Sequence, residues 1–300
     1  MRDLLALILL VVLMVLPLTG RGVSAAADRV VVAASFYPMY EFAQQVGGDR
    51  SRVRNLTPAG AEPHDYELTP KDIIAVNTSK MLIYNGAGLE PWAQKLLPQL
   101  PPSVLVVNAA EGIRIATAAS GENQGKPDPH IWMDPILAQK QVDNILAGFI
   151  RADPEGKAVY EANAAKFKQE LTGLHEQFQR TLSTCRKKIF ITNHAAFGYF
   201  AARYGLTQIG ITGLAPDAQP SAAKVRELIR LARQNDIRVI YYESLVSPRV
   251  AAAIAREVGA RTLVFDPLEG LTDEELAHGK NYLSVMGQNL RNLMQGLDCP

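Results

Sequence analysis

Three histidines of this 300-residue chain stand where neither helical nor strand periodicity accounts for them. His64 lies in Glu62-Pro63-His64-Asp65-Tyr66-Glu67, between the turns Thr57-Pro58-Ala59-Gly60 and Thr69-Pro70. His130 sits in Asp128-Pro129-His130-Ile131-Trp132, and His194 follows the strand-like run Ile191-Thr192-Asn193. A fourth residue, Asp266, ends a strand-like run in Phe265-Asp266-Pro267-Leu268, the position equivalent to His194 on another strand. Three imidazoles and one carboxylate are a donor set for four-coordinate Zn²⁺. A lone loop histidine is more often solvated or a cap than a ligand, so the argument rests on the set. His175, in the middle of a long helical pattern, and His278, in an Ala-His-Gly-Lys turn, lack that setting.

Ligands so scattered must be gathered by a framework. Short β-branched runs alternate with helix-like segments, the order that builds parallel sheets covered by helices. Strands are expected over 29–35, 52–56, 81–85 and 104–108, and again over 188–192, 207–212, 238–244 and 261–265. In such sheets the loops at the carboxyl ends of the strands converge on a ligand crevice. Asp134-Pro135 is a cap followed by proline in the first turn and marks a helix start. An unbroken helical pattern from Pro154 to Ser183 would extend about 45 Å at 1.5 Å per residue. Its length suits a spine joining two lobes. His64 and His130 then come from the first lobe, His194 and Asp266 from the second, which places the metal between them.

The first residues have another purpose. Arg2, the apolar run Leu4 to Leu18 and the small residues Ala25 and Ala27 read as a cleavable secretory leader over residues 1–27. The mature chain is expected to begin near Asp28, in an exported compartment, with no cysteine near the cleavage site for a lipid anchor. Without Arg2, Arg21 and Asp3 the formal net charge falls from +1 to zero. A neutral chain without basic runs offers no footprint for nucleic acid or an anionic membrane. The two cysteines, Cys185 and Cys299, are expected to form a structural disulfide in an oxidising compartment. Domains follow as a leader (1–27), an N-terminal α/β lobe (28–153), a linking helix (154–184) and a C-terminal α/β lobe (185–300).

The strings SFYPMYEFAQQVGGDR, TPAGAEPHDYELTPKDI, MLIYNGAGLEPW, PDPHIWMDP, FITNHAAFGYFAARYGL, PDAQPSAAKVREL, YYESLVSPRVAAAIAREVGA and FDPLEGLTDEEL occur in this order, followed by NYLSVM. In these the chain resembles the cluster A-I metal-binding solute receptors of bacterial ABC importers, the ZnuA- and TroA-type proteins, over nearly its whole mature length. The resemblance implies two lobes joined by one long helix, a metal in the cleft, and delivery to an inner-membrane permease by a periplasmic, monomeric receptor. A periplasmic metallochaperone is a further partner consistent with that role. The family's metal positions fall on His64, His130, His194 and Asp266. Zinc-type members carry histidine at the third position and many manganese-type members glutamate, so His194 favours zinc, in keeping with imidazole chemistry. Many zinc-type members also carry a histidine-rich loop before the PHxW segment, whereas Gly112 to Lys126 holds no histidine.

Two carboxylates border this set. Glu62 reads first as an exposed turn residue and otherwise as a group close to the metal; Glu243, at a strand end, reads as a partner for an imidazole nitrogen. Other functions fit less well. A zinc hydrolase needs an open coordination position and a general base, and no H-E-x-x-H or G-x-S-x-G motif is present. An adhesin role has been assigned to Gram-positive relatives that are typically lipid-anchored.

Overall fold

The computed structural model describes residues 29–117, 125–216 and 218–300. The expected leader and the middle of the small-residue loop, 118–124, lie outside the described residues. The first half runs β1 (Val30–Ala34), α1 (Tyr37–Gly47), β2 (Ser51–Asn55), α2 (Pro70–Asn77), β3 (Met81–Tyr84), α3 (Ala93–Leu96), β4 (Leu105–Asn108) and α4 (Pro135–Ala152). Its four strands are parallel in the order β2-β1-β3-β4. The central strand β1 has Val32 paired with Val53 on one side and Met81 on the other. Helices cover both faces, which is why β1 and β3 read as continuous apolar runs and not as alternating ones.

α5 (Lys157–Ser183) leads into the second half: β5 (Ile189–Thr192), α6 (Gly198–Tyr204), β6 (Thr207–Gly210), α7 (Ala222–Gln234), β7 (Val239–Tyr242), α8 (Arg249–Val258), β8 (Arg261–Val264), α9 (Asp273–Ala277) and α10 (Tyr282–Leu297). The sheet order β6-β5-β7-β8, again all parallel, repeats that of the first half. Each expected strand is present, mostly one or two residues shorter than its apolar run. The terminal residues turn out of the ladder to begin the loops.

The helix starts follow local chemistry. Asp134 caps α4 by accepting the N–H of Ile136, with Pro135 in the first turn, where its missing N–H costs nothing. Pro154 to Gly156 form a 3-10 turn, so the spine begins three residues later than its sequence pattern; its 27 residues span about 40 Å. Tyr160, Ala164, Phe167, Leu171, Leu174, Phe178 and Leu182 recur every three to four residues and are buried. This one apolar face touches both lobes: the Phe167 ring lies 5.5 Å from Phe42, and Phe178 lies 5.0 Å from Phe200. A single core therefore runs from Val32 and Ile83 through α5 to Phe190, Tyr241 and Phe265.

Other contacts cross the cleft. The Trp132 indole N–H donates to the Pro267 carbonyl at 2.7 Å, and the Gly60 N–H to the Leu271 carbonyl at 3.1 Å. Cys185 and Cys299 form the expected disulfide, which ties the end of α5 to the end of α10 across 114 residues of sequence. Closing a loop of that size contributes about 5 kcal/mol in the chain-entropy account, by restricting the unfolded chain.

Candidate metal centre

His64 is carried by the loop after β2, and its surroundings explain its fixed aim. A turn from Pro63 to Tyr66 is closed by the Tyr66 N–H, and the Tyr66 hydroxyl then donates to Asp72 at 2.8 Å. Asp72 also completes the capping box with Thr69 that starts α2. The loop is thus pinned on a helix end, and the His64 side chain keeps only 9% exposure.

His130 is fully buried at the start of a one-turn 3-10 segment before α4. Its backbone N–H donates to Asp128 Oδ1 at 3.0 Å, and the same oxygen lies 2.7 Å from Nδ1. His194, also fully buried, repeats the device in the second lobe with Glu243: 3.0 Å from its N–H and 2.7 Å from Nδ1. A carboxylate on Nδ1 fixes the tautomer with its proton there and leaves the Nε2 lone pair free. Gly198, at the start of α6, makes room for this: a Cβ there would stand 2.8 Å from Asp128 Oδ2.

The three Nε2 atoms meet one carboxylate oxygen, and it belongs to Glu269. Its Oε1 lies 3.2 Å from His64, 3.1 Å from His130 and 3.1 Å from His194. His130 Nε2 is 3.2 Å from the Nε2 of both His64 and His194. All four donor atoms lie within 4.8 Å of one another. Tetrahedral ligands at about 2.0–2.1 Å from Zn²⁺ stand about 3.3 Å apart, so five of the six edges already have nearly that length.

Asp266 does not join this group, contrary to the sequence expectation. It lies just beyond β8 as expected, but its carboxylate turns back on its own lobe. Oδ1 accepts the Leu268 N–H at 2.7 Å, and Oδ2 accepts the Ser244 hydroxyl. Burial pushes its pKa up to about 6. The chain instead runs three residues further, and the longer side chain of Glu269 reaches the imidazoles. The signal was present in Leu268-Glu269-Gly270: an acid between an apolar residue and a glycine, apart from the Asp273-Glu274-Glu275 cluster that begins a helix.

The flanking carboxylates are also accounted for. Glu243 buttresses His194. Glu62 is half-buried rather than an exposed turn residue, and its Oε1 accepts the His64 N–H at 3.2 Å. Burial, reinforced by the charge of Glu269, pushes its pKa up to about 9. His175 pairs with the Tyr204 hydroxyl on the flank of α5, and His278 caps α9; both are outside the cluster.

The protein's own field prepares the site. Burial pulls His64 below its ordinary pKa. Burial pulls on His194 as well, but the charges of Glu243 and Glu269 outweigh it and lift this imidazole well above its ordinary value. His130 moves up more modestly, because its hydrogen bonds to Asp128 and Glu269 outweigh its burial. Burial would raise Glu269, yet the neighbouring His194 and the imidazole hydrogen bonds hold it well below the usual carboxylate range. Removing a buttress should therefore be felt at the metal: Glu243→Ala is expected to weaken binding about 10- to 100-fold. Competition against a chromophoric chelator measures this, and unchanged affinity would show that the Nδ1 contact does not orient His194.

The family model for the zinc-uptake complex component A, periplasmic, ZnuA, matches residues 32–296. The chain belongs to the ZnuA family. It is 39% identical over 292 residues to the high-affinity zinc uptake system protein ZnuA of Bacillus subtilis, with 93% of this chain and 91% of that one covered. It is 37% identical to the zinc-binding lipoprotein AdcA of Streptococcus pneumoniae across 91% of this chain, and spans 57% of that longer protein. The solved Zn(II)-bound ZnuA-like domain of AdcA superposes with a TM-score of 0.80 at 38% identity, covering 90% of this chain and all of that domain. The laminin-binding protein Lmb of Streptococcus agalactiae, described as both an adhesin and a metal transporter, superposes at 0.81 with 33% identity, covering 89% of this chain and 99% of Lmb. These ZnuA-type structures share the two sheets and the joining helix seen here.

Proposed function

We propose that this chain is the extracytoplasmic receptor of an ABC-type importer, capturing one Zn²⁺ between its lobes through His64, His130, His194 and Glu269 and delivering it to a membrane permease. The observation that carries this reading is the set of 3.1–3.2 Å edges joining three Nε2 atoms and one Oε1. Membership of the ZnuA family and the zinc bound or taken up by its named relatives support it. Two ligands come from each lobe, so a small displacement between lobes strips half the shell. That is a release route suited to docking on a permease. Four protein donors fill a tetrahedral shell and leave no position for a nucleophilic water, which argues against a hydrolase.

The finer reading is a periplasmic, monomeric protein with a leader over 1–27, lobes over 28–153 and 185–300 and a linker over 154–184. The permease is its partner, and a periplasmic metallochaperone is a second candidate source or recipient of the ion. Nitrogen-rich ligation favours Zn²⁺ over Mn²⁺, although Cu²⁺ or Ni²⁺ binds such a site as well or better in the test tube. The test is metal competition on the chelator-stripped protein, with bound metal counted per chain. One zinc that excess manganese does not displace is the expected result. Preference for manganese would overturn the choice of cargo, and no stoichiometric metal would overturn the receptor reading.

A further inference from the structure

Asp266 is buried, charged and outside the ligand set, yet all its polar groups are engaged. Its carboxylate takes the Leu268 N–H and the Ser244 hydroxyl. Its own N–H donates to Asn289 Oδ1 at 2.9 Å, and its carbonyl accepts Asn289 Nδ2 at 2.7 Å, from α10. Leu268, fully buried, has φ of +61°, a left-handed backbone that a bulky residue rarely adopts. The next residue is Glu269.

We infer that Asp266 is a positioning residue for the metal cargo: by accepting the Leu268 N–H it holds the left-handed turn that aims Glu269 Oε1 at the three imidazoles. An aspartate oxygen bonded to the N–H two residues on stabilises such a turn locally. Asn289 fixes the backbone from which the carboxylate reaches, and the Ser244 hydroxyl sets its rotation. Without the acceptor, the buried Leu268 N–H is left unpaired. Relaxation of Leu268 to negative φ then relieves the strain and carries Glu269 away from the imidazoles. The cost therefore appears as a lost fourth ligand. The inference rests on the proposed zinc reading.

The experiment is a double-mutant cycle on zinc affinity with Asp266→Ala and Glu269→Ala, read beside the visible spectrum of the Co²⁺-loaded proteins. Zinc binding by the wild type comes first; its absence would defeat the receptor reading and not this one. Given binding, D266A is expected to lose about tenfold or more in affinity, with a weaker Co²⁺ spectrum as water replaces the carboxylate. In the E269A background, D266A is expected to cost no more than about threefold. Asp266→Asn keeps an acceptor oxygen and should stay within about threefold of wild type, whereas a residue that ligates the ion directly would lose as much with Asn as with Ala. Equal losses from D266A in both backgrounds, or an unchanged Co²⁺ spectrum, would overturn the inference in favour of a merely structural role. Where D266A does not fold, Asn289→Ala frees the Asp266 backbone without touching its carboxylate and takes its place in the same cycle. A loss that vanishes in the E269A background is again the expected result, and a loss that persists there overturns it.

Discussion

Alanine at His194 is expected to reduce zinc affinity by two to three powers of ten. Structural zinc sites of four protein ligands bind with about 10–16 kcal/mol, or about 2.5–4 kcal/mol for each ligand, and every 1.4 kcal/mol is a factor of ten. His194 is the severest case among the four. Its loss removes a ligand and also leaves the buried Glu243 without the imidazole it holds at 2.7 Å. Chelator competition with elemental analysis reads the effect. Affinity within a few-fold of wild type would remove His194 from the site. Glu269→Ala should cost less, because water can take the vacated position.

The second large effect is on pH. A zinc ligand must shed its proton, so in the protein alone each imidazole that is protonated at the working pH is a proton the ion displaces. His194 is lifted well above its ordinary pKa, burial being outweighed by Glu243 and Glu269, and His130 is lifted more modestly. For a group with a raised pKa, affinity climbs as pH rises toward that value and falls steadily as pH drops below it. His64, lowered by burial, enters only below the ordinary histidine range. Affinity should therefore fall about ten- to a hundredfold per pH unit around neutrality, from one to two displaced protons. An unperturbed histidine site would weaken only below about pH 6.5. Calorimetry in buffers of different ionisation heat counts the protons directly, and a pH-independent affinity between 6 and 8 would contradict the assignment.

The framework was legible because its signals are local. Alternating apolar runs and helix starts such as Asp134-Pro135 placed every strand and the spine, while turn chemistry singled out His64 and His130 and a strand end singled out His194. The structure places Glu269 rather than Asp266 among the imidazoles, because strand-end equivalence with His194 specifies where a chain leaves a sheet, not where its side chain points. The decision depended on Ser244, Asn289 and the backbone of Leu268, contacts brought together only by folding. Glu62 illustrates the same limit. Its string resembles an exposed turn, yet the folded chain half-buries it within reach of the charges of Glu269, His194 and Glu243.

The apolar face of α5 has a thermodynamic consequence. Since the largest core passes without interruption from the first sheet to the second, a loss of packing in one half exposes apolar surface of the other, and the two repeats should melt as one cooperative unit. An ion held by four side chains then protects the whole chain: at a thousandfold excess over its dissociation constant, cargo adds about 4 kcal/mol to the entire fold. Strands far from the cleft gain as much resistance to heat and proteases as the loops that touch the metal.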